Sequence, residues 1–517
     1  MTPESTNESI IEPDFGLIAD LVHLHARQRP THPAVVKDER SLDYAELDAL
    51  IDLIAASLQR DGLVRGDCIA ICGLSSIEYA AVFFGGLRAG VAVAPLAPSS
   101  TPEGFATMLR DCGAKILFLD ASVVKTVAAA QVKRVAMDDS AAGQPFTQWL
   151  AAVDALPAAV KIEPTDAFNI IYSSGTTGAP KGIVQSHQMR WAHVQRAVGS
   201  GYDRDAVVIC STPLYSNTTL VSFFPALAGG GTLVLMSKFD AAEFVALAQR
   251  HRATHAMLVP VQYQRIMDLP DFDEHDLSSF RMKFATSAPF SAALKADILR
   301  RWPGGLIEFY GMTEGGGTCM LLAHQFPDKL HTVGQPAPGH DIRLIDEHGV
   351  EVPRGEIGEV VGRSPAMMNG YYGQPQKTAE AEWRDRDGNR YIRTGDVGRF
   401  DAEGFLTLLD RRKDMIISGG FNVYPSDLEA VLFQHEAVQE AAVVGVASRQ
   451  WGETPIAFVV LKKGRSDSGE GIRLWANERL GKTQRLAALE VRDELPRSSI
   501  GKVLKRELRD RYQAKDR

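Results

Sequence analysis

The sequence of 517 residues is poor in cysteine and lacks a long uninterrupted hydrophobic run. The five cysteines form no CxxC pair and no cluster with histidine at zinc spacing; they are Cys68, Cys72, Cys112, Cys210 and Cys319. This pattern excludes a disulfide-stapled scaffold and predicts reduced, buried thiols. The longest apolar stretch, 79–98, is interrupted by Arg88 and several glycines, so we expect no membrane span.

A surplus of basic residues is also missing. The chain has 56 Lys and Arg against 64 Asp and Glu, a net charge of -8, which excludes a dedicated nucleic-acid binder. The opening MTPESTNESI has neither the basic region nor the apolar core of a signal peptide. We therefore expect a cytoplasmic protein, and its length predicts more than one domain.

Helix and strand patterns alternate in the first part of the chain. Apolar residues from Tyr44 to Leu58 recur at three- and four-residue steps, which predicts an amphipathic helix. Strands are predicted at 68–73, 114–120, 228–236, 253–260 and 282–290, and a second helix at 76–87. This alternation is typical of an α/β fold. Residues 121–165 fit no clear pattern.

The sequence pattern changes after about residue 331. Strand-like runs separated by Gly and Pro there predict an antiparallel, barrel-like β subdomain. A compact α+β unit is predicted beyond the charged segment 410–413. Its predicted elements are helices at 426–433 and 472–480, strands at 440–446 and 456–461, and a helix beginning near 502. We therefore predict an N-terminal domain over 1–409, a hinge at 410–413 and a C-terminal domain over 414–517.

The string YSSGTTGAPKG, residues 172–182, combines glycines, hydroxyls and a lysine directly after a predicted strand. Glycines let the backbone approach a ligand closely, and successive N–H groups in such turns form an anion site. The spacing is not that of a Walker A loop. Composition alone leaves two interpretations open, a polyphosphate site or a flexible turn without a ligand.

The whole string resembles the phosphate-loop signature of the adenylate-forming superfamily, which contains acyl-CoA synthetases, luciferases and adenylation domains. Four further segments resemble motifs of that superfamily, in its order: YGMTE (310–314), YIRTGD (391–396), DRRKDMIISGGFNVYPSDLE (410–429) and LPRSSIGKVLKRELR (495–509). The resemblance implies a large N-terminal domain with a mobile C-terminal lid. It also implies an AMP-forming, acid-activating ligase that uses ATP, Mg²⁺ and coenzyme A.

The resemblance also assigns roles to individual residues. Lys502, Thr313 and Glu314 are expected to be catalytic, and Glu314 is expected to bind the metal. The expected ATP-binding residues are Ser173, Ser174, Gly175, Thr176, Thr177, Gly178, Lys181, Tyr310, Gly311, Met312, Asp396 and Arg411.

The expected acid pocket is where this chain departs from the pattern of the superfamily that it resembles. Many acyl-CoA synthetases have a histidine in a P-x-F/Y-H segment, and this chain has Ser216 at that position. The expected acid-pocket residues are Tyr215, Ser216, Asn217, Val259, Ser287, Ala288 and Met320. This mixture of apolar and small side chains favours a compact carboxylic acid whose remaining part, aliphatic or aromatic, carries no charge.

The remaining expected residues serve the second half of the reaction. Lys413 is the expected hinge residue. Gly419, Gly420, Phe421 and Trp451 are expected near coenzyme A, although a structural role for the tryptophan is equally compatible with the sequence. Two alternatives stay open: a ligase that loads a separate carrier protein, and a non-catalytic nucleotide-binding protein on the same fold. The identity of the acid and the oligomeric state are not specified, with a homodimer among the options.

Overall fold

The computed structural model describes residues 14–127, 131–173, 181–411, 414–418, 421–448, 451–481, 484–497 and 502–515. The chain divides into two compact units that are interleaved in sequence. The first unit comprises Met1–His331, Pro336–Asp341 and Gly362–Ile392. The second comprises Thr332–Gln335, Ile342–Val361 and Arg393–Arg517. The predicted hinge at 410–413, about which the C-terminal domain would rotate, remains a prediction.

Two large, mostly parallel sheets form the framework of the first unit. The nine-stranded sheet runs, edge to edge, Gln335–Pro336, Gly315–Leu322, Gly305–Met312, Met282–Ala285, His255–Leu258, Val207–Cys210, Thr232–Leu235, Pro33–Lys37 and Arg40–Asp43. The eight-stranded sheet runs Gly370–Tyr371, Lys181–Ser186, Ala167–Ser173, Ala92–Pro95, Cys68–Cys72, Ile116–Leu119, Lys133–Ala136 and Gln144–Pro145. Every strand predicted in the first part of the sequence lies in one of them.

Two further sheets have five strands each. One contains, in chain order, Asp341–Ile345, Gly358–Arg363, Glu382–Arg384, Arg390–Phe400 and Leu406–Arg411. The other belongs to the second unit and contains Ile416–Ser418, Phe421–Val423, Val438–Ser448, Gly452–Leu461 and Ala488–Arg492. In the latter sheet Val438–Ser448 pairs antiparallel with Gly452–Leu461, and each of these strands contains one of the two predicted strands.

The described residues also form α-helices. They are Ile18–Gln28, Tyr44–Arg60, Ile77–Arg88, Pro102–Asp111, Phe146–Trp149, His187–Val198, Asn217–Ala228, Ala241–Arg250, Pro260–Met267, Ala292–Arg301, Pro375–Glu380, Pro425–Leu432, Gly469–Asn477 and Lys505–Lys515. Short 3₁₀ helices occur at Ala121–Val123, Phe272–Glu274 and Pro327–Lys329. None of the described helices combines the length and the apolar composition that crossing a bilayer requires.

The helix at Tyr44–Arg60 shows how local sequence sets an element. Asp43 accepts a hydrogen bond from the Glu46 backbone, and the Glu46 side chain accepts one from the Asp43 backbone, which completes a capping box. Its apolar face is buried except for Leu50, which is half-buried, as the three- and four-residue spacing predicts.

An aromatic cluster in the first unit joins two helices to the strand that precedes the predicted phosphate loop. The ring of Phe224 lies 4.9 Å from Phe168 on the strand and 5.2 Å from Phe83 on helix Ile77–Arg88, in edge-to-face geometry. All three side chains are essentially buried. Helix Asn217–Ala228, which carries Phe224, is therefore packed firmly against the strand that leads into the site.

All five cysteines are buried, as the sequence predicts, and none forms a disulfide. Burial raises the pKa of the Cys210 thiol to about 12 and also raises the pKa values of the Cys72 and Cys319 thiols. Deprotonation, which a thiol needs before it reacts, is therefore disfavoured at these three sites.

Two buried histidines should make the first unit sensitive to acid. Burial lowers the pKa of both His187 and His255 to about 4, against an ordinary value of about 6.5. Between about pH 6.5 and pH 4 the unfolded chain binds more protons than the folded chain, so the free energy of unfolding should fall as pH falls across that window. Each histidine should contribute on the order of 3 kcal/mol to this loss.

Thermal unfolding at several pH values would test this expectation. His187→Gln should flatten the dependence of Tm on pH between pH 6.5 and pH 4. His348→Gln should leave it unchanged, because the side chain of His348 is 78% exposed. Equal slopes in wild type and the His187 variant would contradict the prediction.

Candidate active site

The predicted phosphate loop connects two antiparallel strands at the edge region of the eight-stranded sheet. Strand Ala167–Ser173 pairs with Lys181–Ser186, and Ser173 stands opposite Lys181 in the register. The predicted contacts Ser174, Gly175, Thr176, Thr177 and Gly178 lie outside the described residues. The structure thus brings the two ends of the loop together and anchors Lys181 at the start of a strand.

Thr313 and Glu314 form the tip of a β-hairpin in the nine-stranded sheet. They connect strand Gly305–Met312 to strand Gly315–Leu322, and Met312 pairs with Gly315 across the turn. Gly315 has a φ of +81°, and a Cβ there would collide with the carbonyl of Ala366. The turn therefore depends on glycine, and it presents two predicted catalytic side chains side by side.

The predicted nucleotide residues before this turn lie on the first hairpin strand. Tyr310 is half-buried and pairs with Cys319, while Gly311 is exposed and Met312 is half-buried. The partial exposure of Tyr310 distinguishes it from a fully enclosed core tyrosine.

Tyr371 connects Lys181 to Glu314, and sequence reasoning missed it. The Lys181 Nζ lies 4.9 Å from the centre of the Tyr371 ring. The Tyr371 hydroxyl donates a 2.9 Å hydrogen bond to Glu314 Oε1. Burial and the Glu314 charge both raise the pKa of this phenol, so it stays protonated and remains a donor. Tyr371 is placed here because Gly370–Tyr371 pairs with the strand that begins at Lys181.

Gln185 is a second residue that the motifs do not reveal. Its Nε2 donates to the Thr313 carbonyl at 2.7 Å and lies 3.4 Å from Asn217 Oδ1. Gln185 is fully buried. One amide group therefore joins the strand after the predicted phosphate loop to the catalytic hairpin, the name used here for strands Gly305–Met312 and Gly315–Leu322 with the predicted catalytic residues Thr313 and Glu314 at their turn, and to a predicted acid-pocket residue.

The predicted acid-pocket residues are held by several elements of the first unit. Thr218, next to Asn217, shares a 2.6 Å hydrogen bond with the Ser287 hydroxyl. Ser287 has a φ of +80°, a conformation that a residue with a side chain adopts only under constraint.

Val259 is buried at the start of helix Pro260–Met267. Tyr215, Ala288 and Met320 are half-buried, and Ser216 is buried at the start of helix Asn217–Ala228.

Asp396 and Arg411 are directly opposite each other in the second unit. They pair across strands Arg390–Phe400 and Leu406–Arg411. Gly395, with a φ of +71°, precedes Asp396. The antiparallel register therefore brings together two predicted nucleotide contacts that are separated by fourteen intervening positions in the chain.

The other predicted residues of the second unit are described only in part. Lys502 is half-buried and precedes helix Lys505–Lys515, so it does not belong to the helix that was predicted to begin near it. Trp451 is 47% exposed, unlike a core tryptophan. Phe421 begins strand Phe421–Val423. Lys413, Gly419 and Gly420 lie outside the described residues.

Comparison with known families identifies both parts of the chain. Residues 22–372 match the sequence model of a family described as AMP-binding enzyme. Residues 427–502 match the model described as AMP-binding enzyme C-terminal domain.

Individual relatives match over almost their whole length. A fatty acid–[acyl-carrier-protein] ligase of Streptomyces coeruleorubidus is 33% identical, with 97% of each chain covered. A feruloyl-CoA synthase of an Amycolatopsis species is 34% identical, with 94% of this chain and 97% of the relative covered. Among solved structures, ATP-bound MatB from Rhodopseudomonas palustris is 29% identical with a TM-score of 0.86, covering 96% of this chain and all of that one.

Proposed function

The chain belongs to the family of AMP-binding enzymes, and from that premise we propose that it is an ATP-dependent acid:CoA ligase. In the first half-reaction a carboxylate oxygen of the acid attacks the α-phosphorus of ATP, so that an acyl-adenylate forms and pyrophosphate leaves. In the second half-reaction the sulfur of coenzyme A attacks the acyl carbon, a thioester forms and AMP leaves. The substrates are ATP, coenzyme A and a small carboxylic acid.

The contact chain from Lys181 through Tyr371 to Glu314 carries the proposal. It joins a cation at the end of the glycine- and hydroxyl-rich loop to a carboxylate at the hairpin tip. A polyphosphate with its metal needs both signs of charge close together, because the cation offsets phosphate charge and the carboxylate offsets metal charge. A purely structural turn would need neither group.

Each described residue of this cluster has a definite task in the proposal. Lys181, with Thr176 and Thr177 of the loop, would bind the β- and γ-phosphates, and Thr313 would contact the α-phosphate. One unit charge pair at 4 Å contributes roughly 4 kcal/mol at an effective dielectric of 20. Tyr310 would pack against the adenine ring, as aromatic side chains do.

The donor chemistry of the hairpin tip also fits Mg²⁺. Glu314 offers a hard carboxylate oxygen held by Tyr371, and Mg²⁺ prefers oxygen ligands and commonly takes only one or two carboxylates beside phosphate. Within the part of the chain that the structure describes, no three His, Cys, Asp or Glu residues could hold a metal unaided. Glu314 would thus share the ion with nucleotide phosphates, whose charge the ion would neutralise.

The second unit would supply the remaining groups. An ionised Asp396 has two acceptor oxygens for the ribose hydroxyls, and its cross-strand neighbour Arg411 would assist. Lys502 would bridge the acid carboxylate and the α-phosphate as a compact cation on a flexible stem. Lys413 would be the hinge about which the C-terminal domain rotates between the first and the second half-reaction. Gly419, Gly420, Phe421 and Trp451 would then serve coenzyme A.

A carrier protein is the second candidate acceptor. The observation that favours it is the match to the fatty acid–[acyl-carrier-protein] ligase of Streptomyces coeruleorubidus, which covers 97% of each chain. The acid-activating half-reaction would be identical, and only the thiol that attacks the acyl-adenylate would differ.

Product analysis with a panel of carboxylic acids tests the proposal. We expect acid-dependent formation of AMP and pyrophosphate from ATP and Mg²⁺, followed by loss of the free coenzyme A thiol. A thioester formed only on an added carrier protein would support the second candidate. ADP as the product, or no pyrophosphate exchange with any acid, would contradict both and favour a non-catalytic nucleotide-binding protein.

A further inference from the structure

A network of buried polar side chains lies beneath the catalytic hairpin. Asn169, Gln185 and Arg190 are at most 1% exposed. The Arg190 Nε donates to Asn169 Oδ1 at 2.9 Å, and its Nη2 donates to Gln185 Oε1. The guanidinium also lies 5.9 Å from the Phe168 ring centre and 5.7 Å from that of Phe224. Burial lowers the Arg190 pKa to about 9, which still leaves it protonated at neutral pH.

Arg190 determines which way the Gln185 amide faces. A guanidinium has only donors, so the atom of Gln185 that meets it must be the oxygen. Asn169 Nδ2 donates to the same oxygen at 3.0 Å. On the opposite side, Gln185 Nε2 faces the Thr313 carbonyl, which can only accept. Both ends of the amide therefore enforce one orientation.

The orientation of the Gln185 amide determines the orientation of the Asn217 amide. Gln185 Nε2 is a donor, so Asn217 must turn its oxygen toward it, at 3.4 Å. The Asn217 Nδ2 group then faces the other way. No described residue accepts a hydrogen bond from this group, and Asn217 is only half-buried. A donor is thus presented at the accessible end of the network.

This donor lies close to the proposed reacting centre. The Thr313 carbonyl and Asn217 Oδ1 share the same Gln185 nitrogen. Thr313 is the residue proposed at the α-phosphate. Asn217 is therefore one bridging amide away from Thr313, and a donor at this position would reach the oxygen proposed to attack that phosphorus.

We propose that the Asn217 side-chain amide donates a hydrogen bond to a carboxylate oxygen of the acid substrate and that Arg190 and Gln185 hold it in the donating orientation. The inference rests on the proposed acid-activating function. A neutral donor suits this position because it binds and aligns the carboxylate without a second full positive charge, which would weaken the attacking oxygen as a nucleophile. Ser216, where many relatives have a histidine, does not provide a comparable reach.

Pyrophosphate exchange with benzoate, cinnamate and hexanoate as probe acids tests the assignment. Asn217→Leu should lower kcat/KM for the best probe about tenfold, the effect of losing one hydrogen bond to a charged group. Asn217→Asp should lower it about a hundredfold, because a carboxylate repels the substrate as well. The KM for ATP should stay within twofold in both variants.

The positioning role of Gln185 has its own readout. Gln185→Glu presents an acceptor to Asn217, so Asn217 should turn its amide away from the acid, and kcat/KM should fall about as far as in Asn217→Leu. Combining the two substitutions should then add little, because both remove the same hydrogen bond. Gln376→Leu, which removes an exposed amide, is the matched control. Thermal unfolding would identify a Gln185 variant that fails to fold. In that case the Asn217 variants would still test the proposal, because they leave Gln185 in place.

Two outcomes would overturn the assignment: an Asn217→Leu enzyme within twofold of wild type with every probe, or a loss that appears equally in the KM for ATP. Failure of the proposed function would look different, because wild-type enzyme itself would then show no acid-dependent exchange.

Discussion

Lys502→Ala is expected to lower the rate of acyl-adenylate formation about a hundredfold to a thousandfold. That is the size of effect seen when one preorganised group that stabilises transition-state charge is removed. Attack of a carboxylate on the α-phosphorus brings two anions together, and Lys502 is the cation proposed to bridge them. Lys502 is half-buried and precedes the terminal helix Lys505–Lys515.

Separate assays of the two half-reactions would isolate this role. Thioester formation from preformed acyl-adenylate should fall much less than pyrophosphate exchange in Lys502→Ala. Lys463→Ala, which removes an exposed lysine of the same unit, should leave both rates unchanged. Equal losses in both half-reactions would show that Lys502 serves folding or general binding.

Glu314→Gln should lower pyrophosphate exchange about a hundredfold. The substitution keeps the shape of the side chain and its ability to accept from the Tyr371 hydroxyl, but it removes the negative charge proposed to hold Mg²⁺. Because a weaker metal site needs more metal, the concentration of Mg²⁺ at half-maximal rate should rise in the variant. A magnesium titration of the exchange rate measures both effects.

The adjacent tyrosines offer a matched control for this site. Tyr371→Phe removes only the hydroxyl that orients Glu314 and should cost about tenfold. Tyr372→Phe should have no effect, because the contact of Tyr372 with Gly182 is made by its backbone N–H. An unchanged magnesium titration in Glu314→Gln would argue that the carboxylate does not bind the metal.

The sequence predicts the fold of the first unit well, because local patterns and the hydrophobic core agree there. The spacing around Tyr44 predicts the helix that the structure has, and the apolar runs at 68–73 and 114–120 are buried strands. The mixed α/β architecture and the resemblance to adenylate-forming enzymes are confirmed by the family matches and by the structural similarity. Residues 121–165 fit no pattern because their strands are only two to four residues long.

The site is predictable only where a contiguous motif carries it. Thr313 and Glu314 are found because they are adjacent in one string. Tyr371 is 57 positions from Glu314, and Gln185 is 128 positions from Thr313. Such contacts arise from strand pairing and sheet packing, which a single sequence does not display. Their roles, like those of the motif residues, remain predictions.

Burial of the five cysteines has a consequence for assays of an enzyme that forms thioesters. All five thiols are buried, so none is exposed to compete with coenzyme A as a sulfur nucleophile. The thiol pKa is raised at Cys68, Cys72, Cys210 and Cys319, and it is lowered only at Cys112, by a hydrogen bond with Cys68. Ellman's reagent should therefore react with the thiol of free coenzyme A and not with the cysteines of the folded protein. In a stopped assay, the loss of colour relative to a control without acid can then be read as coenzyme A consumed by acyl transfer, and additional colour from protein thiols would indicate unfolding.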